Sequence, residues 1–354
     1  MSRELSSVDS QAATASPRQQ SLRQNINQRP TAAERELGLT EAKIMPATRG
    51  PRSRKAIWIS VVICVVVLVG AVVPVALLLR SKTANHAEQS IPYLGVYSRS
   101  MPLFYTGVTS FGTATRVKPN LLMYYSSWNE PFQVRFATTA AQHGATPVVQ
   151  INPYGVSLAA VASGQYDSYL SAYAKAIRSY RHQVILSFGH EMNGNWYPWS
   201  HTHASPTAFG AAWRHIVSLF RQLDAQNVTW LWTVNIIDIP GNIPSPASWW
   251  PGSSYVNWVG IDGYYYGPSV TFASLFGPTI TAVRELTKDP IIISETAVAP
   301  AAGQSAKIPD LFAGIRLYGL LGLIWFDVGT YQLSNPSAIA AFHKGAEAYQ
   351  RSAP

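Results

Sequence analysis

Along the chain, short apolar runs alternate with longer amphipathic stretches. Eight runs stand out: Leu94–Ser98, Leu121–Ser126, Thr146–Asn152, Gln183–Phe188, Val228–Asn235, Trp258–Tyr264, Pro290–Glu295 and Leu321–Asp327. Each is apolar at almost every position and not at alternate ones, the pattern of a strand buried on both faces of a parallel sheet. Segments between them carry the helical period, as with Phe209, Ala212, Trp213, Ile216, Leu219, Phe220 and Leu223, and again with Ile308, Leu311, Phe312 and Ile315. Eight strands alternating with helices predict an α/β fold, a (β/α)8 TIM barrel over residues 91–354. An open doubly wound sheet is the alternative, but no Gly-rich phosphate loop follows the first strand.

A different pattern precedes the barrel. Ala56–Leu79 is a run of 24 positions without a charge, long enough at about 1.5 Å per residue to cross the roughly 30 Å hydrocarbon layer. A cleaved signal peptide is the competing reading, but its apolar region is usually about 7–15 residues and lies close to the N-terminus. Arg49, Arg52, Arg54 and Lys55 crowd one flank against Arg80 and Lys82 on the other. The positive-inside rule then places residues 1–55, a Ser-, Gln- and Arg-rich stretch that reads as a disordered tail, in the cytoplasm. Residues 80–90 read as a linker, and the barrel is expected outside the cell, anchored to the cell membrane by a single pass.

Charge changes meaning once it is located. The chain holds 27 Lys+Arg against 18 Asp+Glu, a formal +9, yet residues 81–354 hold sixteen against thirteen. A nearly neutral outer region argues against a nucleic-acid partner. Charged residues make up 13% of the chain while Trp, Tyr and Phe number 11, 18 and 12, a balance suited to a neutral ligand with apolar faces. The single cysteine, Cys64, allows no intramolecular disulfide. A monomeric catalytic domain is expected.

Active sites of such barrels lie where strands end, so polar residues there are the ones to inspect. Glu191 follows the fourth run and Glu295 ends the seventh, each set among apolar and aromatic residues. A carboxylate in such surroundings is costly to ionise and calls for a partner or a task. Two converging at a barrel mouth are what glycoside hydrolysis needs. Trp128, Trp196, Trp199, Tyr264, Tyr265, Tyr266 and Trp325 fall at or just after strand ends, where aromatic rings can stack on sugar faces. Asp262 and Asp327, also at strand ends, read as structural or substrate-binding groups. No metal or cofactor is expected: a His-Glu-x-x-His helix would need histidine where Gly194 stands, and His201 and His203 have no acidic neighbour in sequence. A serine nucleophile lacks its Gly-x-Ser-x-Gly elbow.

Four motifs carry a family resemblance. His190-Glu191-Met192-Asn193-Gly194-x-Trp196, Val259-Gly260-Ile261-Asp262-Gly263-Tyr264, Ile292-Ile293-Ser294-Glu295-Thr296 and Trp325-Phe326 together resemble glycoside hydrolase family 26, best known for endo-β-1,4-mannanases. The resemblance implies retention of anomeric configuration by double displacement, with Glu191 as acid/base and Glu295 as nucleophile. It further implies that His190 binds the sugar, that Tyr264 hydrogen-bonds the nucleophile, and that Trp196 and Trp325 are sugar platforms; Asn193, Trp199 and Trp128 join the expected substrate-binding set. The expected activity is that of a membrane-anchored bacterial endo-β-1,4-mannanase acting on β-linked polysaccharide. Ser187-Phe188-Gly189 stands where mannanases of the family commonly carry Arg-Pro, which brings in a mixed-linkage β-1,3-1,4-glucanase as an alternative. A non-catalytic, membrane-tethered carbohydrate-binding protein is the other.

Overall fold

The computed structural model describes residues 92–351, Ile239 excepted. The tail over 1–55, the apolar run 56–79 and the linker 80–90 lie outside the described residues; among the described residues no helix is long and apolar enough to cross a membrane. Eight strands, β1 (Tyr93–Tyr97), β2 (Leu121–Ser127), β3 (Thr146–Asn152), β4 (Val184–Phe188), β5 (Val228–Asn235), β6 (Trp258–Tyr265), β7 (Ile291–Val298) and β8 (Gly322–Phe326), form a closed barrel in chain order. Every neighbouring pair is parallel, including β1 with β8.

The outer ring consists of α1 (Thr106–Thr115), α2 (Val134–Gln142), α3 (Leu158–Ala162), α4 (Asp167–Tyr180), α5 (Pro206–Gln222), α6 (Phe272–Leu286), α7 (Gln304–Leu317) and α8 (Pro336–Arg351). Helix α5 shows how the sequence sets these elements. Ser205 accepts the Ala208 N–H at 3.2 Å and Pro206 opens the first turn, satisfying one orphan donor and presetting φ. Its buried stripe of Phe209, Ala212, Trp213, Ile216 and Phe220 packs inward. Burial of a large apolar side chain contributes roughly 1.5–3 kcal/mol, so this face outweighs the weak intrinsic propensity of a helix with three aromatics.

Two departures from strict alternation bear on the mouth. Two helices, α3 and α4, lie between β3 and β4, whereas β5 and β6 are joined with no α-helix and only the 3₁₀ turns Pro246–Trp249 and Ser253–Tyr255. Strand β7 also runs three residues past Glu295, which the apolar run had placed at its end. The reason is a bulge. Against β6, Gly260 pairs with Ile292 and Asp262 with Glu295; against β8, Leu323 pairs with Ile293 and Trp325 with Thr296. On both sides β7 carries one extra residue around Ser294. A bulge re-aims the residue beside it, and here it brings the neighbours Ser294 and Glu295 into contact with lumen groups.

Barrel closure rests on the β8–β1 seam. Gly322 pairs with Tyr93, and the Tyr93 N–H donates to the Leu321 carbonyl at 3.0 Å. Gly322 has φ of 144°, and a Cβ there would lie 1.8 Å from the Tyr93 carbonyl oxygen, a clash with backbone that no side-chain rotation relieves. Gly322→Ala is therefore expected to lower stability by about 2 kcal/mol, read as the denaturant midpoint of the full chain; an unchanged midpoint contradicts the close approach at this seam.

Candidate active site

At the mouth the barrel interior turns polar. Gln150, Ser187, Thr233, Asp262 and Ser294 are fully buried and hydrogen-bond across the lumen: Gln150 Nε2 donates to Thr233 Oγ1 at 3.3 Å, Ser187 and Thr233 hydroxyls meet at 3.2 Å, and Ser294 donates to Asp262 Oδ1 at 2.6 Å. Each of these bonds offsets part of the cost of burying its groups, while the Gln150 Oε1 has no hydrogen-bond partner among the described residues. Above this layer stand the two glutamates.

Glu191 continues the ladder beyond β4. The Gly189 N–H donates to the Ile151 carbonyl of β3 and the Glu191 N–H to the Thr233 carbonyl of β5, each at 2.9 Å. Gly189 and Glu191 both adopt left-handed backbone, with φ of 58° and 54°. That conformation is natural for glycine and strained for glutamate, and it persists only where the surroundings over-determine it. Glu191 is 1% exposed. Its Oε1 accepts from the Asn235 amide, and its Oε2 accepts the Trp196 indole N–H at 2.9 Å.

Asn235 is held in turn by Asn193, whose Oδ1 accepts the Asn235 N–H at 2.9 Å and whose Nδ2 donates to the carbonyls of Asn235 at 2.9 Å and Pro244 at 3.1 Å. The Asn193 side chain thus mimics a strand neighbour at the end of β5. Fully buried, it locks the Glu191-bearing loop to β5, and its side chain is engaged there and not at the open face where substrate contact was expected.

Glu295 stands two strands away at the same height: Asn235 pairs with Asp262, and Asp262 with Glu295. Its Oε1 accepts from the Tyr264 hydroxyl and its Oε2 from the Tyr125 hydroxyl. Burial, then the Glu295 charge, pushes the Tyr125 phenol well above its ordinary range, and the same two causes in the same order raise Tyr97. Both rings stay protonated. His190, 1% exposed, forms part of the floor, its Nε2 at 3.1 Å from the Tyr197 hydroxyl and its ring 5.3 Å from that of Tyr125.

The aromatic assignments divide. Trp196 is half-buried beside Glu191, and Tyr264 touches the nucleophile candidate as expected. Trp199 instead lies beneath the floor, 1% exposed, stacked on Tyr197 at 4.5 Å, with its indole N–H donating to the His190 carbonyl at 2.7 Å. Trp128 points outward onto Tyr166 and Tyr169 of the α4 region, with centroids at 5.3 and 4.9 Å. Trp325 is fully buried against Phe342 of α8. None of these three presents a free face to a sugar. Strand alternation explains the last: Tyr97 pairs with Phe326 and Val96 with Trp325, so Phe326, packed on Tyr97 at 4.9 Å and Tyr264 at 5.9 Å, takes the mouth side. Asp262 and Asp327 are structural: Asp262 anchors the polar layer, while Asp327 accepts the Leu333 N–H at 2.9 Å and has its carboxyl pushed up by burial. Tyr125 and Asn235 are contacts that the sequence did not reveal, since one lies within an apolar run and the other merely ends one.

Comparison with known proteins agrees with this geometry. The family model "Glycosyl hydrolase family 26" matches residues 128–343. The chain is 29% identical over 259 residues to Endoglucanase H of Acetivibrio thermocellus, covering 68% of this chain and 29% of that protein, so it spans less than a third of that relative's length. It is 28% identical over 111 residues to Beta-1,3-xylanase TXYA of a Vibrio species, covering 30% and 22%. Among solved structures it resembles a GH26 beta-mannanase of Bacteroides ovatus, with a TM-score of 0.55 at 14% identity over 74% of this chain and 87% of that one, a likeness of fold.

Proposed function

The chain belongs to glycosyl hydrolase family 26, and from that footing we propose a retaining endo-β-glycanase that cleaves neutral β-linked polysaccharide by double displacement. What supports this most is the pair of buried glutamates at one height of the barrel, each with both oxygens held by uncharged donors. Glu295, ionised, gives an electron pair to the anomeric carbon as the glycosidic bond breaks, while Glu191 gives its proton to the departing oxygen. Glu191, now a carboxylate, then takes a proton from water, whose oxygen attacks the anomeric carbon and frees Glu295.

Kinship with a protein named Endoglucanase H, together with Ser187-Phe188-Gly189 before the His-Glu pair, puts mixed-linkage β-glucan ahead of β-mannan as substrate. Incubation of the protein with barley β-glucan, glucomannan, galactomannan and β-1,3-xylan should release reducing ends from the first most rapidly, with the β-anomer appearing first by proton NMR. Glu295→Ala and Glu191→Ala should abolish release. Appearance of the α-anomer first overturns retention, and no release from any polysaccharide favours the carbohydrate-binding alternative.

The indole N–H of Trp196 donates to Glu191, a bond that favours the carboxylate over the acid. Trp196→Phe keeps an aromatic ring and removes the donor. The basic limb of kcat/KM, which reports loss of the Glu191 proton, is expected to move to higher pH by about half a unit to one unit. A limb that stays put while KM rises would make Trp196 a sugar platform only.

The uncharged run 56–79 with its basic N-terminal flank supports a barrel tethered outside the cell membrane. Protease added to intact bacterial cells carrying the full chain should remove the barrel and leave a membrane-bound stub; a protected barrel reverses the orientation.

A further inference from the structure

The reading of Glu295 as nucleophile leaves one of its contacts without a role. We propose that Tyr125 is a second positioning residue for this carboxylate, clamping Oε2 while Tyr264 clamps Oε1, so that the plane and the charge of the nucleophile are fixed from two opposite strands. The inference rests on that reading of Glu295. Tyr125 lies on β2, before the residues 128–343 that the family model matches.

The geometry makes Tyr125 a directed donor. Its ring is wedged between Tyr97 of β1, edge-on at 5.1 Å and 79°, and His190 at the end of β4, at 5.3 Å. It is half-buried where the residues before it on β2 are fully buried, and its hydroxyl donates to the Glu295 carboxylate. Burial and the Glu295 charge hold the phenol in its protonated form, and the hydroxyl therefore donates across the working pH range.

Both clamps act on charge. A phenol donating to a carboxylate makes a charge-assisted bond, about twice as strong as a neutral one. When Glu295 attacks, its electron pair forms the ester to the anomeric carbon and the negative charge leaves the carboxyl group, so the Tyr125 bond weakens. When water cleaves the ester, the carboxylate re-forms and the bond is regained. Tyr125 thus favours Glu295 as a resting anion and as a leaving group. Other groups act on the same carboxylate: Tyr97 from β1, with Arg99 beyond it acting on that phenol, and Tyr264 and Asp262 from β6. From the β4 side, His190 and Tyr197 neighbour the Tyr125 ring and Glu191 faces the mouth. All are retained in the variant below, so only the Tyr125 hydroxyl changes.

The test compares Tyr125→Phe with Tyr264→Phe and the unaltered protein. Titration of the Glu295 carboxyl is followed by infrared difference spectroscopy against Glu295→Gln, a measurement that needs no substrate. Tyr125→Phe should raise the midpoint by about one pH unit, as Tyr264→Phe does, with the thermal unfolding midpoint unchanged. On a polysaccharide that the protein hydrolyses, the acid limb of kcat/KM should move up by the same interval, and where cleavage of the glycosyl ester limits turnover kcat and KM should fall together by about tenfold. A Glu295 midpoint that does not move in Tyr125→Phe overturns the proposal, whatever the turnover. Absence of turnover by the unaltered protein on every polysaccharide refutes the enzymatic reading, and the titration then decides the Tyr125–Glu295 coupling by itself.

Discussion

Removing a carboxylate from water is costly unless hydrogen bonds replace those that water supplied, and two carboxylates stand nearly closed off at this barrel mouth. Much of the upper half of the molecule meets that cost with neutral donors: two tyrosine hydroxyls for Glu295, an amide and an indole for Glu191. Neutral donors stabilise the anion without the strong Coulombic pull of a lysine or arginine, which would pin a carboxylate in its ionised form. On the double-displacement reading proposed above, Glu191 in particular has to carry a proton at one stage and lose it at the next. Each donor then needs support of its own. Asn193 holds Asn235, and the stacked Tyr197 and Trp199 sit under His190.

The backbone meets the same demand by departing from regularity. A regular strand would point Ser294 and Glu295 to opposite faces; the bulge in β7 lets Ser294 anchor Asp262 while Glu295 reaches the two tyrosines. Beyond β4, left-handed geometry at Glu191 turns the chain while keeping its N–H on the β5 ladder. Both irregularities are embedded in hydrogen bonds from the neighbouring strands, which is how strained backbone survives in a folded protein.

Much of this was legible in the sequence. The eight apolar runs mark the strands because a parallel sheet buries both faces, and the same fact makes the faces indistinguishable. Height along the barrel can be read from where a run ends; direction cannot. Glu191 and Glu295 were found because a carboxylate among apolar residues is anomalous wherever it points. Trp128 and Trp325 were placed at the right height and turned the wrong way, since a buried tryptophan looks the same in sequence whether it faces lumen or helix, and Trp199 was placed on the mouth whereas it lies under His190. Tyr125 follows Tyr124 at the end of one run, and only the three-dimensional register shows that the second of the pair meets Glu295. The bulge left no mark, because an extra residue in an apolar strand changes no period that can be read.

The connection between β5 and β6 gives the barrel an uneven rim. In place of a helix the chain supplies two short 3₁₀ turns, and the Pro244 carbonyl of this loop accepts from the same asparagine that steadies the end of β5. Six of the seven strand-to-strand connections carry α-helices packed on the sheet, so lengthening them would disturb the frame. This one wall of the cleft is a loop fastened next to Glu191. Insertions or deletions here can change this wall while eight strands and two glutamates stay where they are, which makes it the part of the molecule where a change of sequence has least structural consequence.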